Sequence, residues 1–328
     1  MPLAPNTTPL LLCPHPLKSA TIIYNPISGW LPRKREQRVY EAAAALKNQG
    51  IAVQLVPTTA PDTARELARD AVAGGEELIV VCGGDGTINE VINGITPGKA
   101  TLGILPGGTA NIFAKELGLP HDPVRAAREL PNWVPRRIAL GRAIWPNGKG
   151  AKSESRFFLS LTGIGFDAHI VRMLSLDFKR DWGVIAYVWE AVRQALRYPF
   201  HPFVCRVGSR ELQATFALVQ RTERYAGWLH MAPGADIFEP HFSLCVFKSP
   251  HWWRYFIYSA AVIARQHLRL ADVELVKTQK LDCSPVMTGT RIDFELDGEL
   301  AGQLPATFEI VPDALTILMP AKKTPGRQ

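Results

Sequence analysis

Hydrophobic positions fall into two regimes along the chain. In the first, Ala20–Tyr24, Ile51–Val56, Leu78–Cys82 and Thr101–Leu105 are short apolar runs rich in β-branched residues. Such runs predict strands buried on both faces. Between them, Val39, Ala42, Ala43 and Leu46 mark a helix over Arg38–Gln49, closed by Gly50. A second helix runs to about Ala73, with Asp62 or Thr63 as its cap. Ile88, Val91, Ile92 and Ile95 recur at the spacing of a third. Alternation of strand and helix predicts a parallel sheet with helices on both faces.

After Pro120 the period changes. Arg136–Trp145 and Arg156–Leu161 read as strands joined by a polar loop at Asn147–Ser155. Gly163–Ala168 reads as a permissive turn leading into a helical stretch, and Tyr187–Arg197 as a helix. From Phe203 onward strands dominate: Phe203–Val207, Leu212–Gln220, Phe242–Phe247, Val273–Thr278, Lys280–Cys283, Arg291–Leu296 and Thr307–Val311, with one helix at Trp252–His267. The expected organisation is a disordered leader over 1–19, a nucleotide-binding α/β domain over 20–135, a β-sandwich over 136–320 whose last strands could return to the first domain, and a basic tail over 321–328.

Composition changes this picture little. Hydrophobic residues make up 47% and charged residues 20%, a globular balance. Cys13, Cys82, Cys205, Cys245 and Cys283 are scattered without metal-ligand spacing, which predicts buried thiols in a reducing compartment. Leu10–Cys13 is too short for a signal core and has no basic region before it. The apolar stretch Tyr255–Ala264 is far short of the ~20 residues a bilayer requires, so no spanning helix is expected, and the location expected is cytoplasmic with peripheral membrane association. The formal charge of +7 fits either ordinary solubility or attraction to nucleotide phosphates and anionic membrane surfaces. Arg33-Lys34-Arg35, after the first strand, favours the second. Neither a nucleic-acid-binding module nor a basic stripe interleaved with aromatics is present, so no nucleic-acid partner is expected.

The candidate chemistry lies at the strand ends. Asn25–Gly29, Gly83–Thr87 and Pro106–Asn111 are clusters of Gly, Ser, Thr and Asn, and Thr58 follows the second strand. Ligands of open α/β sheets bind beyond the carboxyl ends of the strands. Gly83, Gly84 and Gly86 precede a helix whose first N–H groups form a phosphate cradle. Asp85 is unexpected there, because a carboxylate repels phosphate. Either it serves the backbone of a tight turn, or it holds a metal–water cluster or takes a proton. Asp297-Gly298-Glu299 follows the half-buried strand Arg291–Leu296 and is read as a hairpin turn or as a source of catalytic carboxylates. No Gly-x-x-x-x-Gly-Lys-Ser/Thr loop, Gly-x-Gly-x-x-Gly after the first strand, Gly-x-Ser-x-Gly elbow or His-Glu-x-x-His helix is present.

Asn25-Pro-x-Ser-Gly29, Gly83-Gly-Asp-Gly-Thr-x-Asn-Glu90, Pro106-Gly-Gly-Thr-x-Asn-x-Phe-Ala114 and Leu296-Asp-Gly-Glu299 together resemble the diacylglycerol kinase catalytic family. The likeness is greatest to its bacterial soluble lipid kinases, and the family also holds sphingosine and ceramide kinases. It spans about residues 20–320. The resemblance implies a phosphofructokinase-like N-terminal α/β domain and a C-terminal β-sandwich, with ATP and Mg²⁺ in the cleft between them. It implies transfer of the γ-phosphoryl group of ATP to a lipid hydroxyl at a membrane surface by a peripherally associated protein. Asn25, Pro26, Ile27, Ser28, Gly29, Thr58, Gly83, Gly84, Asp85, Gly86, Thr87, Asn89, Gly107, Gly108, Thr109 and Asn111 would line the nucleotide. Glu299 would accept the proton, with Asp85 holding the nucleotide's Mg²⁺ and Asp297 in support. In the sphingosine kinase branch the proton acceptor is often the aspartate matching Asp85. Asp167 would lie near the lipid headgroup, or else cap a helix. A structural Mg²⁺ site carried by many bacterial members is expected to be missing, because Ile237–Leu244 retains only Glu239 as an acid. Trp252, Trp253, Tyr255, Phe256 and Tyr258 would form a core helix, an acyl-chain channel or a membrane-facing patch. A homodimer stays open. The competing readings are an NAD kinase, which shares Gly-Gly-Asp-Gly-Thr, and an inactive lipid- or nucleotide-binding regulator.

Overall fold

A computed structural model describes residues 17–27, 32–109, 111–147, 153–173, 193–194, 196–225 and 229–321, with the side chains of 32–35 excepted. The chain divides into two units, one comprising residues up to Ile138 and from Asp313 onward, the other Ala139–Pro312.

The first unit is α/β. Strands β1 (Ser19–Tyr24), β2 (Ala52–Pro57), β3 (Leu78–Gly83) and β4 (Thr101–Pro106) pair in the order β2-β1-β3-β4, all parallel. The end of the strand Ala306–Met319 adds a further parallel partner, with Thr316 opposite Thr101. Helices α1 (Pro32–Lys47), α2 (Thr63–Ala73), α3 (Asp85–Ile95), α4 (Ile112–Glu116) and α5 (Pro123–Glu129) form the connections. β3 is buried at every position, as its unbroken apolar sequence requires. Helices α2 and α3 pack at close range because residue 94 is glycine: a Cβ there would lie 2.3 Å from the Arg65 carbonyl oxygen and 2.9 Å from the Ala68 Cβ.

The cap of α2 differs from expectation. Asp62 sits at φ 66° and makes no side-chain cap bond, and the Thr63 hydroxyl turns back to the Ala60 carbonyl. Glu90 of α3 accepts the Ala64 N–H instead, at 3.0 Å.

The second unit is an antiparallel sandwich. One sheet runs, strand by strand, Val273–Thr278, Phe242–Phe247, Phe216–Gln220, Leu161–Gly165, Asp293–Leu296, Glu299–Gln303. The other contains the first part of Ala306–Met319 with Lys280–Pro285, Phe203–Val207 and Arg210–Ala214. Phe158, Phe203, Leu244, Leu281, Phe294 and Phe308 fill the space between the sheets. The outer face of the first sheet is covered as well: Leu218, Cys245 and Phe247 pack with Phe166, Phe200, Tyr255 and Tyr258 from flanking segments.

Three expectations change here. Leu212–Gln220 is two strands, broken at Thr215, because Arg210–Ala214 pairs in one sheet and Phe216–Gln220 in the other. The corner is held by the buried Thr215 hydroxyl, bonded to the Ser249 carbonyl and the Tyr255 hydroxyl, both at 2.7 Å. Gly163 lies inside the strand Leu161–Gly165 rather than in a turn, and the helix Phe166–Met173 follows directly. Asp293–Leu296 is buried on both faces rather than half-buried, so Asp293 and Glu295 are interior. Most of the expected Tyr187–Arg197 helix and of the 1–19 leader lies outside the described residues.

Gly94→Ala tests the α2–α3 contact. Overpacking of this kind costs about 1–3 kcal/mol, so the urea midpoint should fall. An unchanged midpoint would mean that α2 moves aside without cost.

Candidate functional site

In the first unit the turns after β3 and β4 meet, and the turns after β1 and β2 begin against the ends of the neighbouring strands. Asn25 N–H donates to the Cys82 carbonyl (3.2 Å), Gly107 N–H to the Gly83 carbonyl (3.0 Å), and Thr58 N–H to the Tyr24 carbonyl (2.8 Å). The glycines of two turns touch directly: a Cβ on Gly108 would stand 2.5 Å from the Gly84 Cα. Any side chain at 108 would therefore force the turns apart, which is a requirement for glycine independent of any ligand. Asn25 Oδ1 accepts the Ile27 N–H at 3.0 Å, a local turn that leaves Ile27 76% exposed. Ser28 and Gly29 lie outside the described residues.

Asp85 opens α3, and its carboxylate reaches across to α4. Its Oδ2 accepts the Ile112 N–H and its Oδ1 the Phe113 N–H, both at 3.1 Å. The residue preceding α4, Asn111, stands at φ 47° and spends its own side chain on Gly108, accepting that N–H and donating to that carbonyl at 2.7 Å each. Asp85 thus supplies the N-terminal cap that Asn111 does not. At the start of α3, the first intrahelical bond runs from Ile88 N–H to the Gly84 carbonyl (3.1 Å). The N–H groups of Asp85, Gly86 and Thr87 precede it and have no partner within the helix. Thr109 is exposed, whereas Thr87 and Asn89 are buried. The Thr87 side chain fills the space beside Gly83, and Asn89 Oδ1 accepts from Asn93 at 3.1 Å.

In the second unit Asp297 and Gly298 form a two-residue hairpin between Leu296 and Glu299. Their φ angles, 50° and 87°, are both positive, as a type I′ turn demands. The Asp297 carboxylate accepts three backbone N–H groups: Leu159 at 2.7 Å, Ser160 at 2.8 Å and Leu161 at 3.1 Å. These bonds explain why the expected Arg156–Leu161 strand is interrupted after Phe158. The same loop is held by Arg221, which is fully buried and donates to the carbonyls of Leu159 and Ile237. Burial lowers the Arg221 pKa to about 10, opposed by the charges of Asp297 and Asp236. Beneath the turn, the fully buried Glu295 accepts N–H groups from Gly163 and Gly298. Its pKa is raised well above the ordinary range, first by burial and then by Asp167, while the two N–H bonds oppose the shift.

Glu299, next along the hairpin, is more open, with its side chain 41% exposed. Its Oε2 accepts from Arg156 Nη2 at 2.5 Å. Asp167 is buried in the first turn of its helix, where it accepts the Tyr225 hydroxyl at 2.5 Å and lies against Gly163. Glu239 faces His241 at 3.1 Å and Lys277 at 3.8 Å. Among the described residues, no group of three or more His, Cys, Asp or Glu side chains gathers as a metal centre. Sequence reasoning missed Arg156, Arg221, Tyr225 and Glu295. Only Glu295 carried a signal, because an acid two residues before an Asp-Gly turn lies on the same face of its strand as that turn's aspartate.

The chain matches known families over both parts. Residues 19–143 match the diacylglycerol kinase catalytic domain, and residues 160–319 match the YegS C-terminal NAD kinase beta sandwich-like domain. A diacylglycerol kinase of Bacillus subtilis is 26% identical over 94% of this chain and 98% of that protein. A diacylglycerol kinase of Mycobacterium tuberculosis is 28% identical over 93% of this chain and 96% of its own length. The crystal structure of a diacylglycerol kinase from Bacillus anthracis superposes with a TM-score of 0.71 at 23% identity, covering 92% of this chain and 97% of that one, which shows the shared fold. With the parallel α/β sheet and the antiparallel sandwich observed here, these matches place the chain in the diacylglycerol kinase catalytic family.

Proposed function

We propose that this chain is an ATP- and Mg²⁺-dependent lipid kinase that phosphorylates the hydroxyl of a diacylglycerol- or sphingoid-type lipid at the cytoplasmic face of a membrane. The observation that carries the reading is the meeting of the Gly83–Gly84 and Gly107–Gly108 turns at the start of α3. Backbone N–H groups on permissive turns are what phosphate groups require. Asn25, Thr58, Gly83 to Thr87, Gly107 to Thr109 and Asn111 are assigned to the nucleotide. No helix among the described residues is long and apolar enough to cross a membrane.

Mg²⁺ takes oxygen ligands and is usually held by one or two carboxylates together with the substrate's phosphates. Asp85 fits that requirement, because each of its oxygens keeps a lone pair beyond the one N–H it accepts. Bound there, the ion would supply neutralisation of phosphate charge. The acceptor hydroxyl oxygen forms a bond to the γ-phosphorus as the bond to the ADP oxygen breaks, and the hydroxyl proton passes to Glu299. Arg156 orients the Glu299 carboxylate through Oε2, and Asp297 fixes the turn that carries it. Asp167 is assigned to the polar end of the lipid, working with the Tyr225 hydroxyl that it binds. A second reading, phosphorylation of NAD, is favoured by the NAD kinase-like description of the matched C-terminal domain.

Radiolabelled ATP offered with diacylglycerol, sphingoid bases, ceramide, long-chain isoprenoid alcohols and NAD distinguishes the readings. Label is expected in a lipid; label in NAD alone would replace the proposal with the second reading. Glu299→Gln should lower turnover about 10²–10⁴-fold, the range of general-base catalysis, with an unchanged urea midpoint. Near wild-type turnover would remove Glu299 from the role of base.

Asp297→Asn should behave differently. The amide nitrogen cannot accept an N–H, so one of the three loop donors loses its partner at about 1–3 kcal/mol. Both stability and turnover should fall, read by urea unfolding alongside the kinase assay. A loss of turnover at full stability would assign Asp297 to the chemistry rather than to positioning.

A further inference from the structure

The helix Trp252–Ile263 is docked by one face only. Tyr255, Tyr258 and Val262 are buried. Tyr255 stacks on Phe200 with ring centroids 3.9 Å apart and bonds Thr215 through its hydroxyl at 2.7 Å. The Tyr258 hydroxyl donates to Asp272 Oδ2 at 2.6 Å, and Arg254 pairs with the same carboxylate. These anchors fix the rotation of the helix about its axis. The opposite face is therefore held outward, although it is apolar: Trp252 and Trp253 are each 48% exposed, Phe256 and Ile257 each 39%, and Ile263 62%. Trp252 and Phe256 lie one turn apart, with their rings edge to face at 5.9 Å.

The charge along this stretch of the sequence is one-sided. No Asp or Glu occurs from Pro240 to Ala271. Arg254 is committed to Asp272 and Lys248 to Glu274. Arg265 and Arg269, just beyond the helix, are exposed, as is Leu268 between them. A second copy of the chain would present the same segment across a two-fold axis, bringing Arg265 and Arg269 toward their own counterparts with no acid in the segment to pair them. Tryptophan and phenylalanine beside unopposed arginines are instead suited to the headgroup zone of a bilayer carrying negative charge.

We propose that the outward face of Trp252–Ile263, with Arg265 and Arg269, is the surface by which the protein docks on an anionic phospholipid bilayer. Trp252, Trp253, Phe256 and Ile257 enter the interface, and the two arginines bind lipid phosphates. The inference deepens the lipid-kinase reading and rests on it, since the acceptor lipid resides in the bilayer.

Co-sedimentation of the full chain with vesicles of phosphatidylglycerol and phosphatidylcholine, or of phosphatidylcholine alone, tests the surface. Binding to the anionic vesicles should be roughly tenfold tighter or more, and should weaken with salt. The double variants Trp252→Ser/Phe256→Ser and Arg265→Glu/Arg269→Glu should each lose about tenfold or more of that binding. Their thermal melting, and their turnover on detergent-dispersed lipid, should match wild type. Wild-type vesicle binding by either double variant overturns the proposal, as does conversion of a dimer to a monomer by the aromatic variant in sedimentation velocity. Label transfer to lipid with vesicle binding that ignores these variants overturns the surface and leaves the kinase reading standing. Variant-sensitive vesicle binding with no label in any lipid keeps the surface and overturns the kinase reading.

Discussion

The pair of bonds that the Ile112 and Phe113 N–H groups donate to Asp85 is the constraint on which the first unit's rim depends. A helix as short as α4 has no stable existence alone, because forming its first turn fixes several residues for little return. Its natural cap position is occupied by Asn111, whose side chain is turned to Gly108. Without the carboxylate of Asp85 the first N–H groups of α4 would lose their acceptor, and the turn after β4 would keep only its backbone bond from Gly107 to Gly83. Charge-assisted bonds of this type contribute about 1.5–3 kcal/mol each. The direct approach of Gly108 to Gly84 requires the absence of a side chain at 108.

The second unit uses the same device. Asp297 sits in a tight turn, and its carboxylate gathers the N–H groups of a loop distant in sequence, while Glu295 holds the next turn residue, Gly298, from below. Glu90 does the same for α2. In each case a carboxylate from elsewhere in the chain satisfies backbone donors that regular secondary structure leaves open. The acids in the sequence motifs therefore have structural duties of their own. An inactive variant at Asp85 or Asp297 carries information about chemistry only when its stability is measured alongside.

Much of the architecture was legible because it is written in short-range periodicity. The four parallel strands and the helices between them follow from apolar spacing alone, and the Asp297-Gly298 hairpin from its dipeptide. What escaped depends on partners far along the chain. The N–H groups that donate to Asp85 lie 27 and 28 residues away, and those that donate to Asp297 lie 136 to 138 away. No local pattern encodes them. Alternation of polar and apolar residues at Arg291–Leu296 implied a solvated face, yet the sheet is covered on both sides and Glu295 is interior. The break at Thr215 was invisible because a strand that changes sheets keeps its period through the corner. The aromatic helix was legible as a helix but its outward side was not, because aromatic and aliphatic residues spread around it do not say which side faces outward.

The hydrogen-bond inventory also weighs the two candidates for proton acceptor against each other. A base must present an oxygen to a hydroxyl, and each bond it already accepts constrains where that oxygen points. Asp85 has both oxygens tied to backbone N–H groups of α4, so turning toward an acceptor hydroxyl would uncap that helix. Asp297 is more constrained still, with three such bonds. Glu299 has one oxygen on Arg156 and makes no other side-chain bond among the described residues, and its side chain is 41% exposed. It has the longer side chain, a guanidinium that fixes its orientation, and an oxygen to spare. On these grounds the proposed role of base falls to Glu299, the acid that does least for the fold, and the acids that do most for the fold are better suited to holding still.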